Sequence, residues 1–85
     1  MKYSIQYSNQ FEKSLKKCFK RGLDIEKLRD VIRILENTGS LPSKYRPHKL
    51  SGNYSGCWEC HIQNDWLLVW MQDDKVLTLL FFKYR

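Results

Sequence analysis

Two histidines, His48 and His61, and one carboxylate, Asp65, stand among the cations Arg46, Lys49, Lys83 and Arg85. Imidazole, with an ordinary pKa of about 6.5, both takes and gives up protons near neutrality. Two such rings and a carboxylate can supply a base, an acid and an orienting group. Cations beside them can offset the negative charge of a phosphorane-like transition state. No cage of metal ligands accompanies these residues, so metal-independent phosphodiester chemistry fits them best. In RNA the nucleophile is then the substrate's own 2′-hydroxyl, and the protein positions groups and moves protons. Composition alone is equally compatible with two ordinary surface histidines.

A second string, Cys57-Trp58-Glu59-Cys60-His61, has the form of a haem-attachment motif. Covalent haem attachment follows export, and the residues from Met1 to Phe11 carry no secretory signal pattern. The string also alternates like a strand, which turns Cys57 and Cys60 to opposite faces. No helix start lies there to activate a thiol, and only Cys18 and the two histidines remain as further zinc ligands. The cysteines are expected to be small apolar residues of a sheet. Of the tryptophans, Trp58 and Trp70 sit within apolar alternation and belong to the core. Trp66, beside Asp65 at a turn, is a candidate stacking platform for a base.

The elements that must position these residues follow from periodicity. Lys2 to Tyr7 alternates, with Tyr3, Ile5 and Tyr7 on one side, and predicts a strand. Ser8-Asn9 offers an N-cap, with Glu12 three residues after Asn9 as in a capping box. Phe11, Leu15, Cys18 and Phe19 form one stripe of a helix that Gly22 stops. Lys13, Lys16, Lys17 and Lys20 fall on its other face. Asp24 caps a second helix with the stripe Leu28, Val31, Ile32 and Leu35, and the short connection predicts an antiparallel hairpin. From Ser40 to Gly56, Pro42, Pro47, Gly52 and Gly56 predict a loop. Three strands follow: Cys57 to Gln63, Trp66 to Met71 and Val76 to Phe82, turning at Asn64-Asp65 and Asp73-Asp74. The expected class is α+β: an N-terminal strand, a helix hairpin and a three-stranded antiparallel meander, with the helices on one sheet face.

The chain has 85 residues and 42% apolar side chains, which predicts one domain over residues 1–85. No apolar run approaches the roughly 18 residues of a membrane helix, which points away from the membrane and toward the cytoplasm. The net charge is +6, and it is uneven. Residues 1–50 hold 12 basic and 5 acidic side chains, residues 51–85 only 3 and 4. A basic half points to an anionic partner, either nucleic acid or an acidic protein.

Pro47-His48-Lys49-Leu50-Ser51-Gly52 with Gly56, then Trp58-Glu59-Cys60-His61-Ile62 and Asp65-Trp66-Leu67-Leu68-Val69, resembles the YafQ-like branch of the RelE/ParE toxin superfamily. The flanking strand, two helices and Leu-Pro loop agree, so the resemblance covers nearly the whole chain. It implies the toxin of a type II toxin–antitoxin pair. Such toxins are ribosome-dependent endoribonucleases that cut mRNA by 2′-hydroxyl attack and need no cofactor and no metal. The implied partners are a cognate antitoxin, the ribosome and mRNA. His48, His61 and Asp65 fall on the family's catalytic positions, and Trp66 on a neighbouring one. Arg46, Lys49, Lys83 and Tyr84 are then candidate RNA contacts. An acidic or amphipathic antitoxin would wrap Lys13, Lys16, Lys17 and Lys20 and block the loop around His48.

The end of the chain departs from the pattern. Arg85 takes the place of a terminal His that the family is thought to use as general acid, and Trp58 replaces an Arg. Arginine stays charged far above neutrality and is no ordinary proton donor, although it can neutralise phosphate. The expectation is therefore an endoribonuclease, weakened if Arg85 does not substitute. The alternatives are an inactive or ParE-like binding protein on the same fold, and a small redox or haem protein built on Cys57 to His61.

Overall fold

The computed structural model describes residues 2–84, folded as two helices on one face of a five-stranded sheet. The elements are β1 (Ser4–Tyr7), α1 (Asn9–Arg21), α2 (Ile25–Thr38), β2 (His48–Lys49), β3 (Cys57–Gln63), β4 (Trp66–Gln72) and β5 (Val76–Tyr84). In space the strands run β1-β5-β4-β3-β2. The pairs β2/β3, β3/β4 and β4/β5 are antiparallel, whereas β1 lies parallel to β5. The helices and the meander fall where periodicity predicts them. Two features do not: the partner of β1, and the strand β2 inside the predicted loop. β1 is joined to β5 through the rest of the chain, a pairing that no local pattern encodes. β2 is two residues long, too short to alternate visibly, and it is bracketed by the 3-10 turns Ser43–Tyr45 and Gly52–Tyr54.

Capping places α1. Ser8, not Asn9, is the N-cap: its Oγ accepts from the Phe11 amide at 2.9 Å and donates to the Leu80 carbonyl at 2.6 Å. One hydroxyl therefore closes the helix and ties it to β5. Replacing Ser8 with Ala removes both bonds and is expected to cost about 1–2 kcal/mol, measured by urea unfolding. Gly22 ends α1 at φ 72°, in the left-handed region glycine favours. On the far side of the hairpin, Gly39 (φ 71°) ends α2 with its α-carbon against the Tyr3 ring, leaving no room for a β-carbon.

The core lies between the helices and one sheet face. Phe11, Cys18, Leu28, Val31 and Leu35 meet Cys60, Ile62, Trp66, Leu68, Trp70, Leu77, Leu79 and Phe82. Phe19, expected in the α1 stripe, is instead 61% exposed. β4 is buried from Trp66 to Trp70 on both faces, as a central strand should be. Alternation then assigns Glu59 and His61 of β3, Leu67 and Val69 of β4 and Phe81 and Lys83 of β5 to the face turned away from the helices. Tyr54 of the loop covers part of that face, its ring packed at a tilt on Phe81 at 5.5 Å.

Candidate active site

The face away from the helices carries one buried acid. Glu59 is 2% exposed and lies directly opposite His48 across the β2/β3 ladder. Its Oε1 is 3.0 Å from His48 Nε2, and its Oε2 is 3.1 Å from Lys83 Nζ. The lysine contact is ionic and lies off the hydrogen-bond direction, so Oε2 accepts no hydrogen bond among the described residues. The other nitrogen of His48, Nδ1, is 2.9 Å from the Arg46 carbonyl. Arg46 holds φ 48°, the one non-glycine residue in the left-handed region among those described, and this turn brings its carbonyl onto the ring. A buried carboxylate is tolerated only when paired, and here the half-exposed His48 ring and Lys83 ammonium are its partners.

His61 stands beside His48 with ring centroids 6.4 Å apart. The pairing of β3 with β4 slips between His61 and Gln63, a bulge of the kind that re-aims side chains next to functional sites. His61 Nδ1 lies 3.3 Å from the Asn64 carbonyl in the turn that follows. That acceptor makes Nδ1 the donor, so in the neutral ring the lone pair lies on Nε2, which meets no partner among the described residues. A hollow of about 480 Å³ opens at this end of the sheet, lined by His61 and Asn64 with Lys27, Asp30, Lys44 and Arg46 among others. Arg46 also reaches the Asn64 side chain at 3.5 Å.

The fold thus gathers Arg46, His48, His61 and Lys83 around Glu59. The other expected residues are placed elsewhere. Asp65 is exposed in the β3/β4 turn, and no hydrogen bond joins it to either histidine among the described residues. It lines a second hollow with Arg21, Tyr84 and Trp66, which shares only Gln63 and Asn64 with the first. The carboxylate that orients His48 is therefore Glu59 rather than Asp65. Lys49 points to the opposite face from His48, with Nζ 5.5 Å from the Trp58 ring centroid. Tyr84 is turned toward α1: its hydroxyl is 2.9 Å from Cys18 Sγ, and Arg21 lies 4.2 Å over its ring. Burial and that bond hold the Tyr84 hydroxyl above its ordinary pKa, so it stays protonated. Trp66 is a correction: it is 2% exposed and packed on Phe82 at 5.5 Å, so its ring is closed to a base. Arg85 lies outside the described residues.

Glu59 carries the geometry, although in the sequence it stands only as the middle of the Cys57 to His61 string. An acidic residue two before His61 shares its face, and the β2 register sets it against His48. The thiols take no part. Cys57 and Cys60 are buried on opposite faces, and burial pushes the Cys60 thiol up to about 12. A redox or haem reading of Cys57 to His61 is therefore set aside.

With this geometry in place, comparison with known proteins gives the family. The family model described as bacterial toxin of type II toxin-antitoxin system, YafQ, matches residues 3–83. The chain belongs to the YafQ family. The mRNA interferase toxin YafQ of Escherichia coli K12 is 38% identical over 74 residues, which are 86% of this chain and 80% of that one. The crystal structure of YafQ from E. coli BL21(DE3) matches with a TM-score of 0.91 at 33% identity, covering 98% of this chain and 93% of the other. YafQ in the E. coli DinJ-YafQ toxin-antitoxin complex matches with a TM-score of 0.90 at 32% identity, covering 99% and 93%. This YafQ-family chain is a toxin of the type II class.

The lysines expected to meet an antitoxin, Lys13, Lys16, Lys17 and Lys20, are all exposed on α1. They lie in the helix layer, across the sheet from Glu59. A partner seated on α1 alone would leave His48 open, so one that masks both must pass round the sheet.

Proposed function

We propose that this toxin is an mRNA interferase: it cuts messenger RNA on the ribosome, in the cytoplasm, and is held in check by a cognate antitoxin. The observation that carries the reading is the pair of imidazoles 6.4 Å apart on one sheet face, flanked by Lys83 and Arg46. A scissile phosphate between them would meet a proton acceptor and fixed positive charge together. The 2′-oxygen bonds to phosphorus as its proton passes to an imidazole. The bond from phosphorus to the 5′-oxygen breaks, and that oxygen takes a proton from solvent. The products are a 2′,3′-cyclic phosphate and a 5′-hydroxyl. Asp65, in the turn beside Gln63 and Asn64, would contact the adjoining nucleotide, and Arg85, outside the described residues, would add charge. Nothing in this step calls for a cofactor.

The purified toxin is expected to cleave a defined mRNA when programmed ribosomes are present, leaving 5′-hydroxyl ends, and to leave the naked RNA intact. Cleavage without ribosomes would overturn the ribosome dependence. Absence of cleavage with them would make this chain the inactive, protein-binding relative. The named partners DinJ and mRNA belong to the E. coli proteins. A cognate antitoxin of similar kind is the partner inferred here.

A further inference from the structure

Glu59 divides the labour of the two histidines. Both ring nitrogens of His48 face acceptors: Nε2 the Glu59 carboxylate at 3.0 Å, and Nδ1 the Arg46 carbonyl at 2.9 Å. A neutral imidazole has one donor and one acceptor nitrogen, so it satisfies only one of these contacts. The ring that satisfies both carries both protons. His61 differs. Its Nδ1 donates to the Asn64 carbonyl and its Nε2 meets no protein partner among the described residues.

We infer that Glu59 is a positioning residue that locks His48 as a fixed imidazolium and holds Lys83 beside it, leaving His61 Nε2 as the proton acceptor of the site. This rests on the nuclease reading for its consequence but not for its geometry. His48, with both N–H groups occupied, cannot take the 2′-hydroxyl proton. It contributes charge and shape. The titratable and charged groups facing it are Glu59 and His61 on β3, Lys83 on β5 and Arg46 in the preceding turn. The buried carboxylate offsets one of the cations, so a net positive surface faces the phosphate. The carboxylate itself is 2% exposed, while both partners reach solvent.

The test is Glu59→Gln, which keeps the shape and removes the charge. Nitrogen-15 NMR of the histidine rings in the free toxin at neutral pH reports protonation directly and needs no RNA. In the wild type both His48 nitrogens are expected to be protonated, and His61 to show one bare nitrogen, Nε2. In Glu59→Gln one His48 nitrogen becomes bare, and cleavage on the ribosome falls by about 10²-fold through misplaced groups. Lys83→Met serves as comparator: His48 keeps both protons there, because its own carboxylate partner remains. A bare nitrogen on His48 in the wild type overturns the inference. So does an unchanged His48 spectrum in Glu59→Gln, or cleavage at the wild-type rate in that variant. If the wild type cuts no mRNA, the nuclease reading fails while the NMR result still decides the role of Glu59.

Discussion

Replacing His61 with Ala is expected to lower ribosome-dependent cleavage by about 10²–10⁴-fold while leaving the protein folded, the range that a general base contributes. The magnitude follows from what the ring can do that its neighbours cannot. His48 has both nitrogens committed, Lys83 and Arg46 are cations, and Glu59 is buried under two of them. His61 alone combines a free nitrogen lone pair with access to the hollow. Its loss removes one bond, to the Asn64 carbonyl at 3.3 Å, and no core contact, so the thermal midpoint should scarcely move. The measurement is single-turnover cleavage of a programmed ribosome complex, with binding checked by cosedimentation. His61→Gln should be as inactive, because an amide does not accept the proton. Asp65→Asn in the same assay is the discriminating control. A loss of about 10²-fold or more in Asp65→Asn, with His61→Ala near the wild-type rate, would move the proton acceptor to the turn.

What could be read beforehand divides along the range of the interactions. Local rules were enough for α1, α2 and the meander, because caps, stripes and two-residue turns are written within a few positions of where they act. They placed Gly22 and narrowed the N-cap to Ser8-Asn9, of which Ser8 makes the cap. They also paired the two histidines, though only through a family resemblance, since His48 and His61 meet through a register set by the β2/β3 ladder. The rest depended on distant parts of the chain. The parallel contact of β1 with β5 spans nearly the whole chain. Lys83 reaches Glu59 only because β5 lies two strands away across β4. Trp66 was read as a stacking surface from its position beside a turn. The slipped register after His61 and the arrival of Phe82 bury it instead. Long-range packing also decided that Asp65, next in sequence to the site, is not the acid that grips His48.

Phe11→Ala tests the other half of the account, in which the sheet must be held rigid for two histidines on its far face to keep their spacing. Phe11 is 1% exposed and stands at the junction of three elements. Its ring stacks on Tyr7 of β1 at 5.4 Å and packs at a tilt on Phe82 of β5 at 5.0 Å, while its amide caps α1 on Ser8. Phe82 in turn packs on Trp66, so the chain of rings runs from the first helix to the start of β4. Truncation leaves a cavity that these rings cannot all close together, and the expected cost is about 3–5 kcal/mol. For a domain of this size that is a fall in thermal midpoint of roughly 15–30 °C, read by calorimetry or circular dichroism. Such a variant would be non-toxic in cells because little of it is folded, and a growth assay would score it like His61→Ala. The two separate in vitro. Phe11→Ala, assayed well below its midpoint, should retain most of its cleavage rate, since Phe82 points into the core and Lys83, its neighbour on β5, points to Glu59 on the other face. If the folded fraction of Phe11→Ala were as slow as His61→Ala, the helix layer would be shaping the chemistry through the sheet. The separation of a supporting face from a reacting face would then be wrong.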